Sequence, residues 1–114
     1  MDLMVVTTET VAGYRIREVL GPVYGTMVRS RNVVGTSLGG IAAFFGGKQS
    51  GDRNMVNQTR DDALTELRSN AQDLGANAVL AMRFDSGEFD SGQGTVMESI
   101  TAYGTAVVLV PEGQ

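Results

Sequence analysis

The sequence contains no cysteine and no histidine among its 114 residues. Without thiols the chain forms no disulfide and has no thiolate nucleophile, and without imidazole it has no Ser-His or Cys-His dyad. The same two absences exclude soft zinc and copper sites, because such sites are built from thiolate and imidazole ligands. Only oxygen ligands therefore remain for a metal ion.

Positive charge is also scarce, with 9 basic residues against 13 acidic ones and a net charge of −4. The basic residues form no cluster along the chain. A general nucleic-acid-binding protein needs a basic face that neutralises phosphates. We therefore expect no nucleic-acid partner.

A membrane-spanning run and a secretion signal are missing as well. The uncharged stretch between Arg31 and Lys48 is shorter than the ~20 apolar residues that a helix needs to cross a bilayer, and its glycines weaken it further as a helix. The opening letters, MDLMVV, lack the basic stretch that begins a signal peptide. These features predict a cytoplasmic protein for which membrane contact is the least favoured option.

The sequence has the composition of a globular protein, with 42% apolar and 19% charged residues. Residues 1–114 have the length of a single domain. Its clearest pattern predicts an amphipathic helix over Asp52–Asn77, with Ser50 or Asp52 as the N-cap and Gly75 as the left-handed residue beyond its end. Arg60 is the one charged residue on the apolar stripe. The residues of that stripe are Val56, Ala63, Leu64, Leu67, Ala71 and Leu74.

Stretches rich in β-branched or alternating residues predict the strands of a sheet. They are Met4–Thr8, Tyr14–Leu20, Val23–Val28, Ala78–Ser86 and Thr95–Val110. Gly21-Pro22 separates the second and third of these, which indicates a bulge, a bend or an edge position because proline cannot donate to a ladder. Alternation in the fourth places Leu80, Met82 and Phe84 on one face. We therefore expect an α+β fold, a small antiparallel-rich sheet with one long helix packed on one face.

Two glycine-rich segments remain. The segment Arg29–Gly51 is consistent with a buried or subunit-interface helix, a mobile loop or a membrane-touching segment, and Leu38, Ile41, Ala42 and Phe45 give the helix an apolar edge. The acidic segment Phe84–Gly94, FDSGEFDSGQG, is predicted to form a long hairpin connection.

The length of the last predicted strand favours assembly. At ~3.3 Å per residue Thr95–Val110 would reach roughly 50 Å, whereas a compact domain of this size is about 35 Å across. The strand must therefore bend, with Gly104 as the candidate position, or project beyond its own subunit. Tyr103, Val107 and Leu109 lie on the face that the helix leaves uncovered, so we expect a homo-oligomer.

A combination of motifs spread along nearly the whole chain points to a known family. These motifs are VVTTETVAGYRI (Val5 to Ile16), GPVYGTMVRSRN (Gly21 to Asn32), GG at Gly46-Gly47, LGANAVLAMRFD (Leu74 to Asp85) and YGTAVVL (Tyr103 to Leu109). The chain resembles the YbjQ family of small bacterial and archaeal proteins, which is sometimes labelled "putative heavy-metal-binding". The resemblance implies an α+β subunit similar to those of dodecin-type proteins, assembled as a ring of five identical subunits. The cofactor, if there is one, stays unknown, and the absence of cysteine and histidine weakens the metal label.

Oxygen ligands for a metal ion are nevertheless present in and near the acidic segment. The candidates are Asp85, Glu88, Asp90 and Glu98. Carboxylates suit hard ions such as Ca²⁺ or Mg²⁺, although the spacing is not that of an EF-hand and a solvated acidic turn is the favoured interpretation.

A phosphate site is suggested by Gly46-Gly47-Lys48, but the P-loop pattern fails because Ala42 and Gln49 occupy two of its required positions. The start of the long helix, near Gly51 and Asp52, remains a candidate site for a small anion. A glycine-rich flexible loop is the favoured interpretation of this stretch.

Two glutamates, Glu18 and Glu98, stand among apolar neighbours on their strands and are expected to be paired. Salt bridges between subunits, with Arg15, Arg17 or Arg83, are favoured over catalysis. The sequence thus predicts a homo-oligomeric binding or scaffold protein without enzymatic activity. Its ligand would lie at a subunit interface or pore near one of the glycine-rich segments. The alternative is a metal-ion-binding protein with carboxylate ligands.

Overall fold

A computed structural model of the protein describes residues 3–30, 48–90, 92, 94 and 96–113. Their elements, in chain order, are β1 (Met4–Val5), β2 (Tyr14–Ser30), α1 (Lys48–Asp73), β3 (Ala78–Asp90) and β4 (Val96–Pro111). The strands form one sheet in the order β1-β3-β4-β2, with β1 parallel to β3 and the other pairs antiparallel. The predicted α+β architecture, an antiparallel-rich sheet with one long helix, is confirmed for these residues.

The helix starts and ends earlier than its sequence pattern predicts. It spans Lys48–Asp73, whereas the prediction was Asp52–Asn77. Ser50 and Asp52 lie inside the helix, so the predicted N-cap at either residue is wrong. The helix begins at Lys48, so Gly51 and Asp52, near which a small-anion site was predicted, follow its first three residues.

The predicted glycine stop of the helix is confirmed. Gly75 has a φ of +90°, which a residue with a Cβ adopts only with strain. Its N–H donates to the carbonyl of Gln72 at 2.9 Å, and the N–H of Ala76 donates to the carbonyl of Ala71 at 3.1 Å. This is the hydrogen-bond pair of a Schellman motif, which satisfies two carbonyls that would otherwise be left unpaired at the helix end.

Helix α1 covers one face of the sheet with the small residues of its stripe. Ala63, Leu67 and Ala71 are fully buried, and Val56 and Leu64 pack against them. Leu74 was predicted to belong to the same stripe, but it is 49% exposed because it lies in the turn after the helix. Below the helix, β2 presents Gly25, where an added Cβ would collide with the helix backbone at Ala63 and Leu67. The close contact of helix and sheet therefore depends on small residues on both sides.

Strand β2 joins two segments that the sequence predicted as separate strands. It runs continuously through Gly21-Pro22, with register shifts between Ile16 and Glu18 and between Val19 and Gly21. Gly21 has a φ of +115°, and β2 is the last strand of the sheet. The prediction that Pro22 marks a bulge or an edge is confirmed in both respects.

Strand β3 contains a bulge that changes the faces of its side chains. The register of β3 against β4 shifts between Leu80 and Arg83, and Ala81 has a φ of +55°. Val79 and Met82 consequently join the core under the helix, while Leu80 joins a second core on the opposite face. The predicted alternation, which put Leu80 and Met82 on one face, is wrong beyond this point.

The acidic segment Phe84–Gly94 is only in part a hairpin connection. Its first half, up to Asp90, continues β3 and pairs with β4 from Val96 to Ala102. The connection between the strands is therefore shorter than predicted, and Asp85, Glu88 and Asp90 lie on a strand.

The sheet face opposite the helix is covered over one half of its length. Val107 and Leu109 were predicted to face a neighbouring subunit, but they are buried in the second core together with Ala78 and Leu80, against Val6 and Val11. The other half of this face is uncovered in the described structure, and we call it the open face. Its exposed or half-buried residues are Tyr24, Thr26, Val28, Phe89, Thr101 and Tyr103.

The chain is elongated along its strands. Its principal dimensions are 59 × 32 × 20 Å and its radius of gyration is 17.8 Å, against about 13 Å for a compact chain of this length. Strand β4 remains continuous through Gly104, where a bend was the predicted alternative to a projecting strand. Gly104 instead lies opposite the bulge of β3, where an added Cβ would crowd Val79 and Leu80.

The alternatives for the glycine-rich segment Arg29–Gly51 fall mostly on residues 31–47, outside the described residues. Among the residues that are described, no helix combines the length and the apolarity that crossing a bilayer requires.

Candidate functional site

A cleft of about 340 Å³ lies between the first half of α1 and the ends of β2, β3 and β4 that project beyond the second core. Val56 and Arg60 line it from the helix, and Arg29, Phe84 and Glu98 are among the strand residues that line it. Its volume falls at the small end of the range for ligand sites in proteins. We refer to it below as the cleft.

The register of the strands explains why these side chains meet. Glu98 of β4 stands directly between Arg29 of β2 and Glu88 of β3. Side chains alternate along a strand, so Phe84 and Glu88, which follow Met82 at even spacing, point to the helix side with it. Three strands and the helix thus supply the walls of one site.

An ion pair occupies the cleft. Both Nε and Nη2 of Arg29 donate to Oε2 of Glu98, at 3.1 and 2.9 Å. The two side chains are 22% and 25% exposed, so the pair is largely removed from water and more strongly coupled than a surface pair. Arg83, one of the predicted partners of Glu98, instead donates to the carbonyls of Thr7 and Met82. Glu98 is therefore held within its own chain, where a salt bridge between subunits was expected.

A second guanidinium in the cleft rests on an aromatic ring. Cζ of Arg60 lies 5.7 Å from the centroid of the Phe84 ring, within the range of a cation–π contact. Within the part of the chain that the structure describes, no carboxylate lies within ion-pair distance of Arg60. Arg60 therefore presents positive charge to the cleft without a local counter-ion from those residues.

The predicted metal ligands are brought together only in part. Glu88 and Glu98 are cross-strand neighbours, and Asp90 lies two residues beyond Glu88 on the same face. Asp85 pairs with Thr101, whose side chain points to the open face, and so lies on the opposite side of the sheet. Residues 3–30, 48–90 and 96–113 contain no group of three or more Asp, Glu, His or Cys side chains placed to hold a metal ion. The four-carboxylate site stays a prediction.

Two residues of the cleft went unnoticed in the sequence as site residues. Arg60 was visible as the one charged residue on an apolar stripe, and this interruption was the available signal. Arg29 had no such signal, because its contact with Glu98 spans 69 positions of the chain and depends on the strand register.

Asn77 is a further residue whose importance the sequence does not reveal. Its side-chain amide donates to the carbonyl of Leu109 at 2.9 Å, and its side-chain carbonyl accepts from the N–H of Leu109 at 2.7 Å. The side chain thus replaces a backbone pairing partner at the start of β3. This contact gives a structural reason for the asparagine in the LGAN motif.

The family model described as "Putative heavy-metal-binding", that of the YbjQ family, matches residues 3–110. The chain belongs to this family. It is 61% identical over 108 residues to a UPF0145 protein of Acidiphilium cryptum, with 95% of each chain covered. The UPF0145 protein YjfJ of Lactococcus lactis is 41% identical over 93% of this chain and 94% of its own. A UPF0145 protein of Thermoplasma volcanium is 39% identical over 95% of this chain and 85% of its own.

A solved structure has the same fold as this YbjQ-family chain. It is a protein of unknown function from the DUF74 family of Pediococcus pentosaceus, with a TM-score of 0.58 over 96% of this chain and 100% of the other. The sequence identity is 15%, so the likeness concerns the α+β fold alone.

The heavy-metal description of the YbjQ family does not fit the donor atoms of this member. Heavy metals favour thiolate and imidazole ligands, and the chain has neither. Of the carboxylates in the cleft, Glu98 is already bound by the guanidinium of Arg29. We therefore assign no heavy-metal site to these residues.

Proposed function

We propose that this YbjQ-family protein is a cytoplasmic, non-enzymatic binding or scaffold protein. It works as a homo-oligomer, a ring of five single-domain subunits. Any ligand lies at a subunit interface or in the pore of the ring. The observation that carries this proposal is the open face, a stretch of sheet with exposed aromatic side chains on an elongated subunit. The number five is what the resemblance to the YbjQ family implies, and the dodecin-type comparison concerns the subunit alone.

The composition of the open face supports a protein partner. Tyr24 and Tyr103 are direct cross-strand neighbours, 58% and 39% exposed, and Phe89 on β3 is 48% exposed. The hydroxyls of Thr26 and Thr101, 3.0 Å apart, bind one another beside the tyrosine pair. Large contiguous apolar surface on a sheet face is typical of an interface, and tyrosine is enriched at such surfaces.

The β2 edge of the sheet is poorly suited to pairing with a strand of another subunit, which also favours the open face as the interface. Two register shifts in its pairing with β4, together with Pro22, make β2 irregular. The amide of Asn70 on α1 also donates to the carbonyl of Tyr24, at 2.7 Å, and so occupies an acceptor of that strand. Bulges, proline and a covering helix are the devices that protect edge strands from pairing. A second copy is therefore better accommodated by the open face than by the β2 edge.

A binding role is favoured over catalysis by the state of the cleft. General acid–base catalysis needs a carboxylate that can accept and return a proton. Both contacts of Glu98 with Arg29 hold its carboxylate in one position, against a guanidinium rather than open to a substrate. A preorganised charged pair of this kind suits a ligand site or a structural role.

The alternative function, a metal-ion-binding protein with carboxylate ligands, is supported by one specific observation. Glu88 and Glu98 stand opposite each other on adjacent strands. Their oxygens would suit a hard ion such as Mg²⁺ or Ca²⁺, for which the remaining ligands would come from water or from other subunits.

Native mass spectrometry of protein purified directly from cells tests the proposal. We expect the mass of five subunits, with a small molecule retained if the protein binds one and none if it is a scaffold. Retained Mg²⁺ or Ca²⁺ that is lost in Glu88→Gln supports the alternative. A monomer at micromolar concentration overturns the proposed assembly.

A further inference from the structure

We propose that the cleft binds a small, flat organic acid, whose carboxylate is held by the guanidinium of Arg60. The inference rests on the proposed binding function, but it places the ligand within one subunit, between helix α1 and the sheet, and it names the chemical class of that ligand. It is carried by the charges, the apolar wall and the size of the cleft.

Two arginines and two glutamates line the cleft, and Arg60 is the one of these that would bind an anionic group. Arg29 and Glu98 form an ion pair, in which Nη2 and Nε of Arg29 donate to Oε2 of Glu98 at 2.9 and 3.1 Å. Arg60 has no such partner among the described residues. Its charge is therefore available to a carboxylate, with which a guanidinium forms two parallel hydrogen bonds.

The contact with Phe84 prepares Arg60 for this role. Cζ of Arg60 lies 5.7 Å from the centroid of the Phe84 ring, and this contact favours a side-chain position beside the cleft. A side chain that is already restricted loses less entropy when it binds. Arg60, held beside Phe84, thus acts as the anchor for the acid.

The apolar wall indicates a flat ligand body. Val56 of α1 and Ile100 of β4 line the cleft beside the ring of Phe84. Apolar walls with a few polar groups that fix orientation are the usual construction of a small-molecule site. A volume of about 340 Å³ limits the ligand to one or two fused rings.

Substitution of Glu88 tests whether the ligand of the cleft is an anion or a cation. It also lines the cleft, directly across from Glu98, and places negative charge near the position of the acid. Removing that charge should strengthen binding of an anion, whereas it would weaken binding of a cation.

The experiment measures binding of benzoate and 2-naphthoate to the full chain by calorimetry, with benzamide and 2-naphthamide as the neutral counterparts. We expect saturable binding of the acids only. Arg60→Gln should weaken it about tenfold, as expected for loss of a charge-assisted hydrogen bond. Arg60→Lys, which keeps the charge but not the fork, should fall between Arg60→Gln and the native protein.

Two controls complete the design. Arg68→Gln removes the same charge from an exposed position of α1 outside the cleft and should leave binding unchanged. Glu88→Gln should tighten binding about twofold or more. Absence of saturable binding by both acids, equal binding of the amides, or an unchanged affinity in Arg60→Gln overturns the inference.

The native mass of each sample separates this inference from the proposed assembly. An intact oligomer that binds neither acid refutes the ligand class alone. A monomer that binds benzoate through Arg60 refutes the assembly and leaves the ligand class in place.

Discussion

The side chain of Asn77 acts as part of the backbone of the sheet, and its loss should be costly. Asn77→Ala leaves both the N–H and the carbonyl of Leu109 without their partner, and these groups are partly buried. We expect a decrease of about 2 kcal/mol in the free energy of unfolding, measured by urea denaturation. Asn70→Ala removes a single exposed hydrogen bond, to Tyr24, and should cost about 0.5–1 kcal/mol. Equal losses in the two variants would contradict this view of Asn77.

Gly25 is required because helix α1 lies directly on it. An added methyl group would meet the backbone of Ala63 and Leu67, which can move only together with the helix. Gly25→Ala should therefore lower the free energy of unfolding by about 1–3 kcal/mol.

Gly87 is the matched control for this substitution. It lies on β3, where an added Cβ would meet only the Ser99 hydroxyl, at an ordinary 3.7 Å. Gly87→Ala should be neutral or slightly stabilising in thermal unfolding. A similar loss of stability in both variants would show that the helix is not seated on Gly25 as described.

At the scale of single elements, the helix was more predictable than the strands. Ala63, Leu67 and Ala71 repeat every four residues, so their common burial follows from helix geometry alone. Leu74 continues the pattern in sequence but not in structure, because Gly75 turns the chain before it can face the core. The periodicity of apolar residues predicts which face of a helix is buried, but it does not predict the residue at which the helix ends.

The faces of β3 could not be predicted from alternation. A bulge adds one residue to one strand, and every side chain beyond it changes face. The positive φ of Ala81 marks this bulge, but alanine carries no sequence signal for such a conformation. Gly104, directly opposite, was visible in the sequence and was interpreted as the candidate position of a bend, with a projecting strand as the alternative.

The strain at Ala81 yields a prediction for the bulge. Glycine adopts a φ of +55° without the steric cost that alanine incurs there. Ala81→Gly should therefore raise the free energy of unfolding by about 0.5–1 kcal/mol. Ala102→Gly, at a fully buried position of β4 with ordinary strand geometry, should lower it. Destabilisation of similar size in both variants would mean that Ala81 is not strained.

At the scale of the whole molecule, the candidate site depends on long-range pairing. Glu88 and Glu98 were recognisable as a pair of nearby carboxylates, but Arg29 and Arg60 belong to a distant strand and to the helix. Only the order β3-β4-β2 and the position of α1 bring the four together. The two glutamates of the site could therefore be predicted from the sequence, whereas the two arginines could be assigned to it only from the fold.

The open face leads to the prediction that concerns the molecule as an assembly. If a second copy covers Tyr103, a carboxylate at that position would be buried without a partner, which costs several kcal/mol at an interface. Tyr103→Glu should therefore convert the oligomer to monomers at micromolar concentration, measured by light scattering and native mass spectrometry. Leu74→Glu makes the same kind of change at an exposed apolar residue on the helix side, 49% exposed, and should leave the oligomer intact. Both variants add one negative charge at an exposed position. A difference in their oligomeric state would therefore show that the open face forms the subunit contact. Dissociation by both, or by neither, would place the subunit contact elsewhere than on the open face.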